Sequence, residues 1–343
     1  MWLRAAPTII CLALLARAEQ PTNRDTQFVQ AAEARLRKYT LDERGSRSWP
    51  RCTFQALRND PIDQFVFTLL GGRMRLQDTQ KGLCDMWAAP SASHHCPCTA
   101  PPELFNGTFV EIGANDGLHM SNTWFFEKHL NWKGLCVEAN PVVYRQLQHN
   151  RPACANVNAL IGRTAPGAAK ELPFLSLYRP DGKVKSGPSD REWETGLSGI
   201  EGPGGAHEVI RSLKNAEAFA RPRGMRVERA MLPVVSFASL FEQHGIRQVD
   251  FFSVDVEGHE IDVLSTVDFS KVYIRLIVTE TTDANVTALL RRNGFRDIGI
   301  EFKLKDHVFV NEGAPPADAR SVGVGVGGHH GGARRPGSKW LGR

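Results

Sequence analysis

Hydrophobic and polar positions change their rhythm near Gly107. Before it, apolar residues are scattered; after it, short unbroken apolar runs alternate with stretches where they recur every three or four positions. The first pattern marks strands buried on both faces of a parallel sheet, and the second marks amphipathic helices. "GTFVEIG" (107–113) reads as a strand, "SNTWFFEKHL" (121–130) as a helix and "GLCVEAN" (134–140) as a second strand. "NPVVYRQLQHNRP" (140–152) reads as a helix with Asn140 as N-cap, Pro141 at its first position and Pro152 at its close. "NVNALIG" (156–162) reads as a third strand. Strand and helix alternating at this spacing predict an α/β fold with a doubly wound, mostly parallel sheet.

The later half continues the pattern more loosely. "LPFLSLY" (172–178) is strand-like, within a Gly- and Pro-rich region spanning 163–230. "VDFFSVDV" (249–256) and "YIRLIVTET" (273–281) read as buried strands, and "EIDVLSTVDF" (260–269) starts as a helix. "DANVTALLRRNG" (283–294) is a helix with Asp283 near its start and Gly294 as its stop. "GFRDIGIEF" (294–302) and "HVFVNE" (307–312) close the sheet as a hairpin. Beyond Gly313 the chain is rich in Gly and Arg, and a disordered tail is expected over 314–343.

The residues before Gly107 add context rather than core. "MWLRAAPTIICLALLARA" has a basic residue, a short apolar run and a small-residue ending, the pattern of a signal peptide over 1–18. Its apolar run is too short to span a bilayer comfortably, and no later segment is apolar enough to do so. Residues 19–51 read as a polar stem or arm. "DPIDQFVFTLLGG" (60–72) reads as a helix stopped by glycine, and the Cys- and Pro-rich stretch 75–105 as an irregular insertion.

Composition then sorts the function classes. The chain has 343 residues, is 42% hydrophobic and 23% charged, and carries a formal charge of +5. Basic residues lie partly in the first segment and the Gly/Arg tail, with no dense basic run interleaved with aromatics. Nucleic acid is therefore not an expected partner. Seven cysteines occur, one of them inside the signal-like segment; the even remainder, Cys52, Cys84, Cys96, Cys98, Cys136 and Cys154, suggests disulfides in an oxidising compartment. "HHCPC" lacks the second half of a zinc pattern, so no metal site is assigned. Sequons at Asn106 and Asn285 mark candidate glycosylation sites and agree with a secretory-pathway location, in the lumen or outside the cell.

Chemistry concentrates where the strands end. In an open parallel sheet, ligands lie beyond the carboxyl ends of the strands. The first strand runs into Glu111 and the turn Gly113-Ala114-Asn115-Asp116-Gly117. Glycines there let backbone approach a ligand, and Asn tolerates left-handed geometry. Glu138 ends the second strand, 25 residues after Gly113, where a carboxylate can accept hydrogen bonds from ribose hydroxyls. Ala139 follows it. The dinucleotide fingerprint G-x-G-x-x-G is missing, and a carboxylate at Glu111 would repel phosphates but suit a cationic amino group. These features fit S-adenosylmethionine, which has a ribose and an amino-acid head and no phosphate. A second constellation, "VDFFSVDVEGHE", delivers Asp255, Glu257, His259 and Glu260 to the same edge. Asp255, Glu257 and His259 are candidates for orienting a methyl acceptor or taking its proton; acids at a helix N-terminus are also favoured by the helix dipole alone.

"GTFVEIGANDGLHMSNTWFFEKHLNWKGLCVEANP" together with "VDFFSVDVEGHEIDVL" resembles the FkbM-type methyltransferases, in particular a eukaryotic secretory-pathway branch with "SNT", "W-x-G-L-C-x-E" and "N-R-P". The resemblance covers about residues 105–311 and extends weakly back to about residue 52, giving an expected domain of 52–313. It implies a class I methyltransferase fold, Rossmann-like, with an antiparallel last strand and S-adenosylmethionine at the first two strand ends. By position it places Glu111, Gly113, Asn115 and Gly117 at the methionine end, Glu138 at the ribose and Asn122 in support of the turn. Asp255 and Glu257 face the transfer site, and Ser198 and Gly199 approach the acceptor. Glu111 stands where many members have Asp.

The resemblance implies O-methylation of a glycan or small-molecule hydroxyl. Two alternatives stay open at this stage: a non-catalytic methyltransferase-like protein for binding or trafficking, and transfer to nitrogen or a carboxyl group.

Overall fold

The computed structural model describes residues 47–53, 62–74, 95–164, 167–180, 196–202, 208–280, 283–301 and 306–313. The expected signal peptide and C-terminal tail lie outside them. Among the described residues, no helix is long and apolar enough to cross a membrane.

A seven-stranded sheet carries the fold. Its parallel strands are β4 (Thr108–Ile112), β5 (Lys133–Val137), β6 (Ala155–Val157), β12 (Phe251–Val254) and β14 (Leu276–Glu280). The hairpin of β15 (Phe295–Glu301) and β16 (Asp306–Asn311) completes it, giving the spatial order β15-β16-β14-β12-β4-β5-β6. β16 runs antiparallel to β14 and to β15. Strand order reverses between β4 and β12, the point at which such sheets bind ligands. This is the α/β, mostly parallel architecture with an antiparallel last strand that the sequence reading expects.

Alternating side chains build two cores. One face holds Val110, Ile112, Leu135, Phe252, Val254 and Ile277 against α5 (Phe237–Gln243), α6 (Glu260–Leu264) and α7 (Ala284–Arg292). The other holds Phe109, Cys136, Phe251, Leu276 and Val278 against α1 (Ile62–Leu69), α2 (Trp124–Leu130) and α3 (Pro141–Asn150). Local chemistry sets the helix starts as the sequence predicts. Asn140 Oδ1 accepts from Val142 N at 3.0 Å, and Asp283 Oδ1 accepts from Asn285 N at 2.8 Å.

The region between β6 and β12 forms a smaller sheet, ordered β7 (Leu160–Ile161), β10 (Arg226–Val235), β8 (Glu171–Tyr178), β9 (Gly199–Ile200). Its α4 (Leu213–Ala220) packs over Leu175 and Leu177. Its other face gathers Leu160, Phe174 and Leu232, with Ala139 packed against them. That contact sets the smaller sheet beside the turn after β5.

Four differences from the sequence reading have physical causes. The expected strand over 156–162 is two strands in two sheets. It breaks at Asn158, whose Nδ2 donates to Glu138 O at 2.7 Å and Ala139 O at 2.9 Å. The run over 273–281 is likewise split, with β13 (Tyr273–Ile274) pairing with β11 (Gln248–Val249) apart from the main sheet. Residues 47–51, read as the end of a polar arm, belong to β1 (Arg47–Thr53). That strand pairs with β3 (His95–Ala100), inside the stretch read as irregular, and β3 also pairs with β2 (Arg73–Met74). Pairing between segments so far apart in sequence leaves no local hydrophobic signature.

One disulfide, Cys136–Cys154, joins β5 to the segment leaving α3. Both cysteines are buried. Closing a loop across a sequence separation of 18 restricts the unfolded chain by about 3 kcal/mol. Cys154→Ser is therefore expected to lower unfolding free energy by about 3 kcal/mol, measured by urea denaturation of oxidised protein; an unchanged midpoint would mean the bond does not form.

Candidate functional site

The site begins where β4, β5 and β12 end together. The register aligns Ile112 with Val137 on one side and Val254 on the other. Beyond Ile112 the chain turns sharply: Gly113 N and Ala114 N both donate to Val137 O, at 3.1 Å each. Gly113 has φ +77°, and a Cβ on it would lie 2.0 Å from the backbone oxygen of Asp255. Any side chain there would push β12 away from β4. Asn115 takes φ +49° and Gly117 φ +79°, as the sequence reading expects for this turn. Asp116 Oδ1 closes the loop by accepting from Leu118 N at 2.9 Å and His119 N at 2.7 Å.

Glu138 faces this turn from the end of β5. Its Oε2 accepts from Asn115 N at 2.8 Å and its Oε1 from Asn140 N at 2.7 Å. The carboxyl is thus fixed by two backbone donors from two different turns. Desolvation raises its pKa, the N–H groups of Asn140, Asn115 and Ala139 pull it down, and the nearby Asp116 charge adds to the rise; the balance pushes it up to about 7.

Glu111, expected at the methionine end, is buried, and its carboxylate is already surrounded by donors. Ser121 Oγ lies 2.9 Å away, Thr123 Oγ1 2.7 Å and Asn122 N 2.7 Å. Arg151 Nη1 lies 3.5 Å from Glu111 Oε2. Arg151 is fully buried at 0% exposure. Its Nε donates to Glu127 at 2.9 Å, Nη1 to Gly117 O and Ser121 Oγ at 3.1 Å each, and Nη2 to Thr123 Oγ1 at 3.1 Å. Its guanidinium also sits 5.3 Å from the Phe109 ring centre. Glu111 therefore braces the turn from behind. Asn122, expected to support the turn, donates from Nδ2 to Ser253 Oγ on β12 at 3.0 Å.

Ser198 and Gly199 lie in the smaller sheet. Ser198 Oγ accepts from Leu177 N at 2.9 Å and from Asn140 Nδ2 at 3.2 Å. One hydroxyl thus ties the smaller sheet to the residue that holds Glu138. Gly199 pairs with Leu175 in β9.

Asp255 leaves β12 at the same edge and is exposed to solvent. Desolvation by surrounding protein atoms, then the charges of Glu257, Glu280, Asp306 and Glu260, raise its pKa well above the ordinary Asp value. Glu280 and Asp306 are paired across β14 and β16, so carboxylates end three adjacent strands. Among the described residues no group of three or more His, Cys, Asp or Glu is arranged to hold a metal ion. Glu257 is exposed with φ +54°. Glu260 is buried and caps the local turn, accepting from Gly258 N at 3.0 Å. His259 stands at the head of α6, Nδ1 3.6 Å from Asp262 Oδ2. The two sequons differ in place: one precedes β4 and the other follows Glu280 by five residues. Asn106 is exposed before β4, and Asn285 is exposed in the first turn of α7.

Sequence reasoning gave no separate role to Arg151, Ser121, Thr123, Asn158, Glu280 or Asp306. The tripeptides Ser121-Asn122-Thr123 and Asn150-Arg151-Pro152 were visible only as features of a resemblance. Their shared contact spans about thirty positions of chain and leaves no periodic trace.

Arg151→Met is expected to destabilise the protein by about 3–5 kcal/mol, because it strands the Glu111 and Glu127 carboxylates. In chemical denaturation, Glu111→Gln/Arg151→Met should lose less than the sum of the two single variants. Additive losses would show that the two side chains are not coupled.

Residues 111–296 match the family model of the methyltransferase FkbM domain, more than half of the chain. No curated protein matches the chain significantly.

Proposed function

This chain belongs to the FkbM methyltransferase family, and we propose that it transfers a methyl group from S-adenosylmethionine to a hydroxyl of a glycan or small molecule in the secretory pathway. The observation that carries the reading is the pairing of two features. Glu138 is held by two backbone N–H groups at the end of β5. Facing it is a turn whose Gly113 admits no side chain. The residues fit the cofactor: a carboxylate able to accept from ribose hydroxyls, a backbone turn free of bulk and, among the described residues of the turn itself, no cluster of cations for a pyrophosphate. When bound, the cofactor supplies an electrophilic methyl on a sulfonium centre.

The chain's own residues then divide the work. Glu138 accepts hydrogen bonds from the ribose. Gly113 and Ala114 present backbone at close range, and Glu111 and Arg151 keep that turn from moving. Asp255 would take the acceptor hydroxyl's proton at its carboxylate, and the bound cofactor would supply the methyl. A carboxyl whose pKa is raised is a stronger base in its ionised form. Positioning the acceptor oxygen supplies most of the remaining rate. The Cys136–Cys154 bond supports an oxidising compartment, as do two exposed sequon asparagines.

Titration with S-adenosylhomocysteine tests the cofactor assignment. Micromolar binding supports it; none to a folded, oxidised sample would move the weight to a non-catalytic role. The pH dependence is specific. The ionised Glu138 accepts from the ribose, and its pKa in the folded protein is about 7. Affinity should therefore be full above that value and lost as pH falls through it, about tenfold between about pH 8 and pH 6. Glu138→Gln should bind weakly at every pH.

Asp255→Asn should leave S-adenosylhomocysteine affinity within about twofold while slowing labelled-methyl transfer to a glycan panel by about a hundredfold or more. Equal losses in both would make Asp255 a cofactor ligand instead of the base.

A further inference from the structure

The smaller sheet ends in arginines. Residues 209–235 carry six cations, Arg211, Lys214, Arg221, Arg223, Arg226 and Arg229, against two acids, Glu217 and Glu228. Arg229 is paired with Glu201 at 2.6 Å. The structure draws three of the others together with Arg179. Arg179 Nη1 donates to Arg223 O at 3.3 Å. Arg226 is the strand partner of Tyr178, the residue before Arg179. Arg221 and Arg223 occupy one 3-10 turn, closed by Gly224 at φ +67°. The Arg223 guanidinium lies 3.9 Å from the Phe219 ring centre and donates to Phe219 O at 3.0 Å. That stacking presents a planar fork in a fixed orientation. Arg221, Arg223 and Arg226 are exposed, and among the described residues no carboxylate pairs with Arg221 or Arg226.

This end of the sheet adjoins the candidate site. Arg179 lies two residues beyond Leu177, roughly 7 Å along an extended chain. Leu177 N is bonded to Ser198 Oγ, Ser198 to Asn140, and Asn140 to Glu138. The opposite flank of the site is acidic, with Asp255, Glu280 and Asp306 at the ends of three strands. One flank therefore attracts negative charge and the other repels it. A uniformly anionic ligand would be rejected at the transfer edge. A chain with a neutral hydroxyl at the acids and sulfate or carboxylate groups some sugars away satisfies both.

We propose that Arg179, Arg221, Arg223 and Arg226 bind the sulfate or carboxylate groups of an acidic glycan acceptor and so set its register at the transfer site. The proposal rests on the glycan-acceptor reading above. It takes a glycan over nucleic acid or a cytoplasmic lipid face because the buried disulfide favours the oxidising compartment on which the reading above rests. Forked guanidinium groups match planar carboxylate and tetrahedral sulfate by paired hydrogen bonds.

The test uses the full oxidised chain and a fluorescent heparin-derived hexasaccharide. Neutral maltohexaose, single-stranded RNA and phosphatidylserine vesicles are the comparison probes. The acidic hexasaccharide should bind best, with affinity falling steeply as salt is added. Arg221→Ala/Arg226→Ala should weaken it about tenfold and leave S-adenosylhomocysteine affinity unchanged. Arg226→Lys should recover only part of its share, since a point charge lacks the fork. Equal binding by wild type and the double variant overturns the proposal. So does equal binding of maltohexaose, or tighter binding of RNA or vesicles. Loss of S-adenosylhomocysteine binding in wild type, with glycan binding intact and sensitive to these arginines, would sink the cofactor reading and leave the arginine site standing.

Discussion

A single buried guanidinium organises the turn after β4. Arg151 has no exposed surface, and a charge so placed is tolerated only when its donors are matched. It is matched by groups from four places: Glu127 on α2, Ser121 and Thr123 ahead of α2, Gly117 O in the turn and Glu111 on β4. Each contact fixes a different piece of backbone around the Gly113–Gly117 loop. The segment bearing Arg151 is itself held two ways. Arg151 N is bonded to Leu147 O within α3, and three residues later Cys154 is crosslinked to β5. The turn after β4 thus inherits its rigidity from a network behind it.

This arrangement sorts the carboxylates of the site by environment. Glu111 is enclosed by hydroxyl, amide and guanidinium donors, so its charge is neutralised within the protein. Glu138 has only backbone donors and keeps capacity to accept from a ligand. Desolvation, and then the charges of neighbouring acids, make Asp255 hold its proton more tightly. The three acids differ in environment because their nearest partners differ. Residue type alone does not distinguish an enclosed carboxylate from one held only by backbone or crowded by other acids.

The same contrast explains what the chain made legible. The strand and helix pattern from Gly107 onward follows from hydrophobic period, and the caps at Asn140 and Asp283 from local hydrogen bonding. The Gly113 turn was readable because a positive φ and a close backbone neighbour both demand glycine. The placement of Glu138 was readable because it follows directly from the end of a buried strand. The bracing role of Glu111 was not, since its partners come from residues 121–123 and from Arg151. The split at Asn158 was equally hidden: an amide reaching back to Glu138 O and Ala139 O turns an apolar run out of the main sheet. Pairing of β1 with β3 links residues more than forty positions apart, where no periodic signal reaches.

The split at Asn158 also determines how the smaller sheet is joined to the main one. By turning the chain out of the main sheet, it starts β7 beside β10 and places the smaller sheet against Ala139. Asn140 then serves both sides. Its backbone N–H holds Glu138, its Oδ1 caps α3, and its Nδ2 reaches Ser198. A shift of the smaller sheet must pull on the amide that holds Glu138. Conversely, whatever fixes Glu138 restrains the sheet bearing the arginines. Because that amide is buried, the coupling passes through protein rather than through water, where a free side chain would relax instead of transmitting the strain.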